Sequence, residues 1–175
     1  MLALMDAIAA IQAFVQSGGP ILIAIAILTF VMWTLLFERF WFYKGALNRD
    51  INSALENWES RAERKSWNAS QIRRGLISQV SEKINANLDL IASMVALCPL
   101  LGLLGTVTGM IEVFNVLALT GGGDAKSMAS GVSQATIPTM AGMVAALSGV
   151  FGQTLVNQIA SRESQLLEDH LTMDH

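Results

Sequence analysis

An all-α integral membrane protein with three transmembrane helices is the fold this sequence predicts, and three observations predict it. Charged residues make up only 14% of the chain against 53% hydrophobic, whereas soluble domains average about 25% charged. Three long segments are nearly free of charge. None falls between Asp6 and Glu38, a single acid (Glu112) falls within 91–119, and none falls within 127–161. Finally, nine of the eleven lysines and arginines cluster between Arg39 and Lys83, and only Lys126 and Arg162 lie outside. About 20 apolar residues cross a bilayer as a helix, and a helix satisfies its own backbone in hydrocarbon.

Residues 1–18 read as a short amphipathic segment on the membrane surface. Leu4, Ile8, Ile11 and Val15 recur at helical spacing, with Asp6 and Gln12 off that stripe. Without a basic n-region the segment is not expected to be a signal peptide. Ser17-Gly18-Gly19-Pro20 divides it from the first span, 20–41, because proline suits the first turn of a new helix. Phe40, Trp41, Phe42 and Tyr43 form an aromatic belt, with Lys44 just beyond it. Glu38-Arg39 sits at the same interface and is open to an intersubunit pairing.

Residues 42–90 form a helical loop. It reads as one helix over about 46–64 and another over about 69–90, separated by capping residues at Ser66-Trp67-Asn68-Ala69-Ser70. No charge lies between Asp89 and Glu112, so the second of these helices is expected to run straight into the second span, 91–119. Arg73, Arg74 and Lys83 read as a solvated basic face, with anionic phospholipid heads as the alternative. A loop, 120–126, leads to the third span, 127–161. As a helix its 35 residues extend about 50 Å, so it projects well beyond the lipid. Basic residues favour the cytoplasmic side. That rule puts the 42–90 loop and the 162–175 tail in the cytoplasm, with the N-terminus and the 120–126 loop facing outward.

Several function classes are excluded by what the chain lacks. A net charge of −3 gives no argument for nucleic acid. The single cysteine, Cys98, cannot form an internal disulfide and reads as a small buried hydrophobe. His170 and His175 lack metal-ligand spacing. With no nucleophile–base set, no enzyme activity and no cofactor are expected. Internal repeats of the kind transporters use are not seen.

The polar residues inside the spans are the candidates for function. Gln134, Thr136, Thr139, Ser148, Gln153 and Asn157 populate the third segment without forming one stripe; Thr139 and Asn157 share a direction. Pro138 removes a backbone hydrogen bond and is expected to kink that segment. Glu112 is a proton-relay candidate as the sole acid inside a span. Thr108, Glu112 and Asn115 share a helix face, and structural hydrogen bonding is the plainer reading of them. Gly105 and Gly109, like Gly142 and Ala146, are four apart, which lets helix backbones approach closely in lipid.

Two strings carry a resemblance. Pro99-Leu-Leu-Gly102-Leu-Leu-Gly105-Thr106-Val-Thr108-Gly109-Met-Ile-Glu112 and Gly131-Val-Ser133-Gln134-Ala-Thr136-Ile-Pro138-Thr139-Met-Ala-Gly142 resemble the second and third membrane helices of the ExbB/TolQ branch of the MotA/TolQ/ExbB family. The likeness covers roughly residues 88–160. It implies a proton-channel motor subunit of the inner membrane of a Gram-negative bacterium, forming a homo-oligomeric ring, usually a pentamer. A single-span, ExbD-like partner would sit in the pore and carry a membrane aspartate that takes and releases protons. In ExbB systems the motor drives a TonB-like protein for outer-membrane uptake; in TolQ systems it serves envelope integrity. Position by position, the resemblance puts pore-lining threonines at Thr106 and Thr139. Gln134 falls where many members have a glutamate. Glutamine cannot carry a titrating proton, so proton transfer would rest on the partner's carboxylate. Pro138 and the Ala145-Ala146-Leu147-Ser148 stretch also depart from the commoner pattern. The short soluble loop suggests a compact ExbB, with TolQ or a non-conducting scaffold as alternatives.

Overall fold

The computed structural model describes the backbone of residues 2–60, 66–120 and 125–170; among these, the side chains of 2–4, 6–17, 59, 120, 125–127, 130, 134 and 170 lie outside the described residues. The expected outward loop and the end of the C-terminal tail fall mostly in the undescribed segments. All the described elements are α-helices: α1 (Leu2–Lys44), α2 (Ala46–Glu59), α3 (Trp67–Asn85), α4 (Leu88–Thr120) and α5 (Ala125–His170). Three of them, α1, α4 and α5, are long and apolar enough to cross a membrane.

The division expected at residues 17–20 has a backbone basis. Gly19 is the one non-helical residue inside α1, at φ 62° and ψ −164°. A residue before proline is pushed out of the helical region, and this combination of angles is open to almost nothing but glycine.

The chain divides into two compact units, one drawn from Met1–Trp33 and Ala92–Val150, the other from Thr34–Ile91 and Phe151–His175. In the first, Ile25, Cys98, Ala145 and Ala146 form a buried cluster, and Ile21, Leu28 and Leu101 pack against it. Met32 is fully buried against Gly149, whereas Phe30 and Val144 are mostly exposed. Small residues inside and large apolar ones outside suit a solvent of lipid, where close backbone approach replaces the hydrophobic effect as the force between helices.

The second unit is built as a water-soluble core is. α2 turns Leu47, Ala54 and Trp58 inward, about three turns of one apolar stripe, and packs on α3. α3 starts where its capping signal lies: the Ser66 hydroxyl accepts the Ala69 amide at 3.2 Å. From α3, Ala69, Val80 and Ile84 are buried, and from α5 so are Val156, Ala160 and Leu167. Lys83 Nζ pairs with Asp50 at 2.9 Å, linking α3 to α2.

One expectation is corrected here. α3 does not run into α4. It ends at Asn85, Ala86 is extended, and Asn87 takes a left-handed φ of 63° before α4 begins. Asparagine tolerates that left-handed turn, and another helix supports it: Arg39 and Tyr43 of α1 donate to the carbonyls of Lys83 and Ile84, which the break leaves without helical amides. Glu38 and Arg39 form an ion pair within the chain, with Arg39 Nη2 2.7 Å from Glu38 Oε1, and Arg39 is buried.

Candidate functional site: the seam between α4 and α5

α4 and α5 run antiparallel within the first unit, and their contact is made of missing side chains. Gly109 faces Ala135, Gly105 faces the Pro138 ring, and Gly102 faces Thr139. Further along, Gly142 lies against Cys98 and Gly102, and Gly131 against Val113. A methyl group on Gly142 would sit 2.5 Å from the Cys98 carbonyl oxygen and 3.2 Å from Gly102 Cα. Ala146 is buried beside Ala145. α5 continues as helix through Pro138. Because that proline has no N–H, the carbonyl four residues before it has no helical donor.

Among the described residues, a polar bond crosses the seam. Thr139 Oγ1 donates to the Gly102 carbonyl at 2.9 Å. The α-helical pattern pairs that same carbonyl with the Thr106 amide, so Thr106 and Thr139 meet at one acceptor, which has lone pairs for both. The Thr106 hydroxyl itself turns back to its own helix, donating to Leu103 O at 2.7 Å. Both threonines are half-buried.

The remaining candidates are dispersed. Thr108 bonds the carbonyls of Leu104 and Gly105 on its own helix, and Thr136 that of Ser133. Glu112 and Asn115 are exposed. Ser148 donates to Ala145 O at 2.7 Å and accepts from Trp33 Nε1 at 3.4 Å, at one end of an apolar groove of about 1100 Å³ between α1 and α5. The Gln134 side chain lies outside the described residues. No group of three His, Cys, Asp or Glu is placed to hold a metal among the described residues.

Gly102 is the residue that sequence reasoning left out of the site. Its signal was present, because Gly102, Gly105 and Gly109 are spaced three and four apart, as one helix face requires. That its carbonyl would accept from Thr139 depends on interhelix register, which no local pattern encodes.

A profile of the MotA/TolQ/ExbB proton channel family matches residues 43–169. The chain is similar to the putative biopolymer transport protein ExbB-like 1 of Synechocystis sp., with 44% identity over 82 residues, 45% of this chain and 31% of that protein. It is similar to the biopolymer transport protein exbB1 of Vibrio cholerae, with 36% identity over 96 residues, 54% of this chain and 42% of that one. The Tol-Pal system protein TolQ of Pseudomonas aeruginosa is 31% identical over 99 residues, 57% of this chain and 42% of its own length. The aligned part thus spans less than half the length of each of these relatives.

Proposed function

This chain belongs to the MotA/TolQ/ExbB proton channel family, in its ExbB/TolQ branch, and we propose that it works as the ExbB-like subunit of an inner-membrane motor. In this reading the motor uses the proton motive force to energise TonB-dependent outer-membrane transport. Copies of the chain assemble as a ring, a pentamer, with the N-terminus periplasmic and the C-terminus cytoplasmic. Thr106, Thr139 and Gln134 face a pore, which holds an ExbD-like single span with a membrane aspartate, and a TonB-like protein receives the work.

The observation that carries this reading is the Thr139 hydroxyl tied to the Gly102 carbonyl inside the stretch that matches the family. A hydroxyl whose proton is committed to a backbone carbonyl retains only acceptor capacity. It can accept a hydrogen bond from a protonated carboxyl group, but has nothing to donate to a carboxylate. A partner aspartate therefore gains a contact beside Thr139 when it takes up a proton and loses that contact on release. In a medium of low dielectric, the same change of charge is consequential for where the partner rests.

Native mass spectrometry of the complex, gently extracted from its own membrane, tests the assembly. The expected result is about five copies of this chain with a small single-span partner. A monomer or dimer without a partner would remove the proton-carrying aspartate and with it the motor. The similarity to TolQ of Pseudomonas aeruginosa supports a second reading, service in envelope integrity. Neighbouring genes separate the two: a TonB-like protein favours the first, a TolA-like protein the second.

A further inference from the structure

The break between α3 and α4 is made without glycine or proline, since residues 76–98 contain neither. A helix commonly ends on a left-handed residue just past its last turn, usually glycine and sometimes asparagine. α3 takes the weaker of these devices: Ala86 leaves the helix and Asn87 supplies the left-handed turn.

What holds it open is a pair of side chains one turn apart on α1. Arg39 Nη1 donates to Lys83 O at 3.1 Å, and the Tyr43 hydroxyl donates to Ile84 O at 2.8 Å. In an unbroken helix the Lys83 carbonyl would accept the Asn87 amide, and the Ile84 carbonyl the Leu88 amide. α1 therefore supplies donors to two of the four carbonyls, at residues 83–86, that the break leaves without helical amides. The donors are well placed for it. Arg39 is held by Glu38 through Nε and Nη2, each at 2.7 Å, and its guanidinium lies 4.9 Å from the Phe42 ring centroid. That leaves Nη1 for the carbonyl, in a site where Arg39, Tyr43 and Ile84 are all buried. The cation also sits at the negative end of α3, where the helix dipole favours it. Beyond the break, Asn87 caps the next helix, its carbonyl accepting the Ile91 amide at 3.0 Å.

We infer that Arg39 and Tyr43 are positioning residues that hold open a switchable joint at Ala86–Asn87, and that the segment has a second state in which α3 continues through it as one helix. The two states trade side-chain bonds to the Lys83 and Ile84 carbonyls against the backbone bonds that a continuous helix would add across the break. An element with two such alternatives is what a conformational change can act on.

The test uses the full chain in lipid nanodiscs, in a Cys98→Ala background, with spin labels at the exposed positions 71 and 90. Nineteen residues of continuous helix would separate their backbones by about 28 Å, and the parent chain supplies the reference distance. Arg39→Gln with Tyr43→Phe should shift the measured distance distribution toward that value. Arg39→Lys should keep the parent distance, because its ammonium can still donate to the Lys83 carbonyl; a shift as large as that of Arg39→Gln alone would remove Arg39 from the joint. Tyr43→Phe with Asn87→Ala keeps Arg39 and the packing, and penalises the left-handed turn. It supplies the answer if the first variant does not fold. Parent distances in the folded variants would overturn the inference.

Discussion

Gly142→Leu should cut the yield of folded, assembled protein by tenfold or more. Its first side-chain atom would meet the Cys98 carbonyl and the Gly102 backbone, and neither can rotate away as a flexible side chain could. Forcing extra atoms into a packed interface costs about 1–3 kcal/mol even where side chains can adjust, and every 1.4 kcal/mol is about tenfold in an equilibrium. A second glycine makes the control. Gly75 on α3 has nothing within 4 Å of where a methyl would go. Gly75→Ala should therefore stabilise the chain by about 1 kcal/mol, through helix propensity alone. Thermal melts followed by circular dichroism compare the two. If Gly142→Leu melts with the parent, the close approach of α4 and α5 is wrong.

Thr139→Ala should separate function from assembly. Interhelical hydrogen bonds in membranes average about 0.6 kcal/mol, with a maximum of about 1.7, so losing the bond to Gly102 leaves the fold and the proposed ring standing. In the proposed motor the same change removes the acceptor offered to a protonated carboxyl group, and proton-motive-force-dependent uptake should fall at least tenfold. Thr139→Ser keeps a hydroxyl in reach of Gly102 and should restore most of it. The measurement pairs an uptake assay in cells that depend on this chain with native mass spectrometry of the variant complex. Full uptake with alanine at 139 would defeat the assignment.

The features legible in the sequence were those that residue type alone decides. Charge-free runs marked the three long apolar helices, Gly19-Pro20 marked the joint in α1, and Ser66 marked the start of α3. What stayed hidden was whatever one helix does to another. In residues 84–89 the local signal for a break is Asn87, which tolerates the left-handed region; the donors that support the break, Arg39 and Tyr43, stand more than forty positions earlier. Arg39 read as an interfacial charge for the same reason: nothing near it in the chain shows that a backbone carbonyl waits for it. At the site, the small residues and hydroxyls of α4 and α5 could be named from spacing. Which threonine would cross the seam, Thr139, and which would turn back on its own helix, Thr106, depended on register.

The joint at Gly19 has a consequence in handedness. A left-handed methyl of L-alanine there would meet no atom within 4 Å, so space does not demand glycine; the backbone angles alone do. At φ 62° and ψ −164° an L-residue bears roughly 1–3 kcal/mol of torsional strain. Reflected, those angles fall in the polyproline region that L-residues adopt freely. A D-alanine inserted by chemical synthesis at position 19 would thus be free of the torsional strain that its mirror image bears. It would stiffen the joint while L-alanine would oppose it, and the two side chains differ in nothing except chirality.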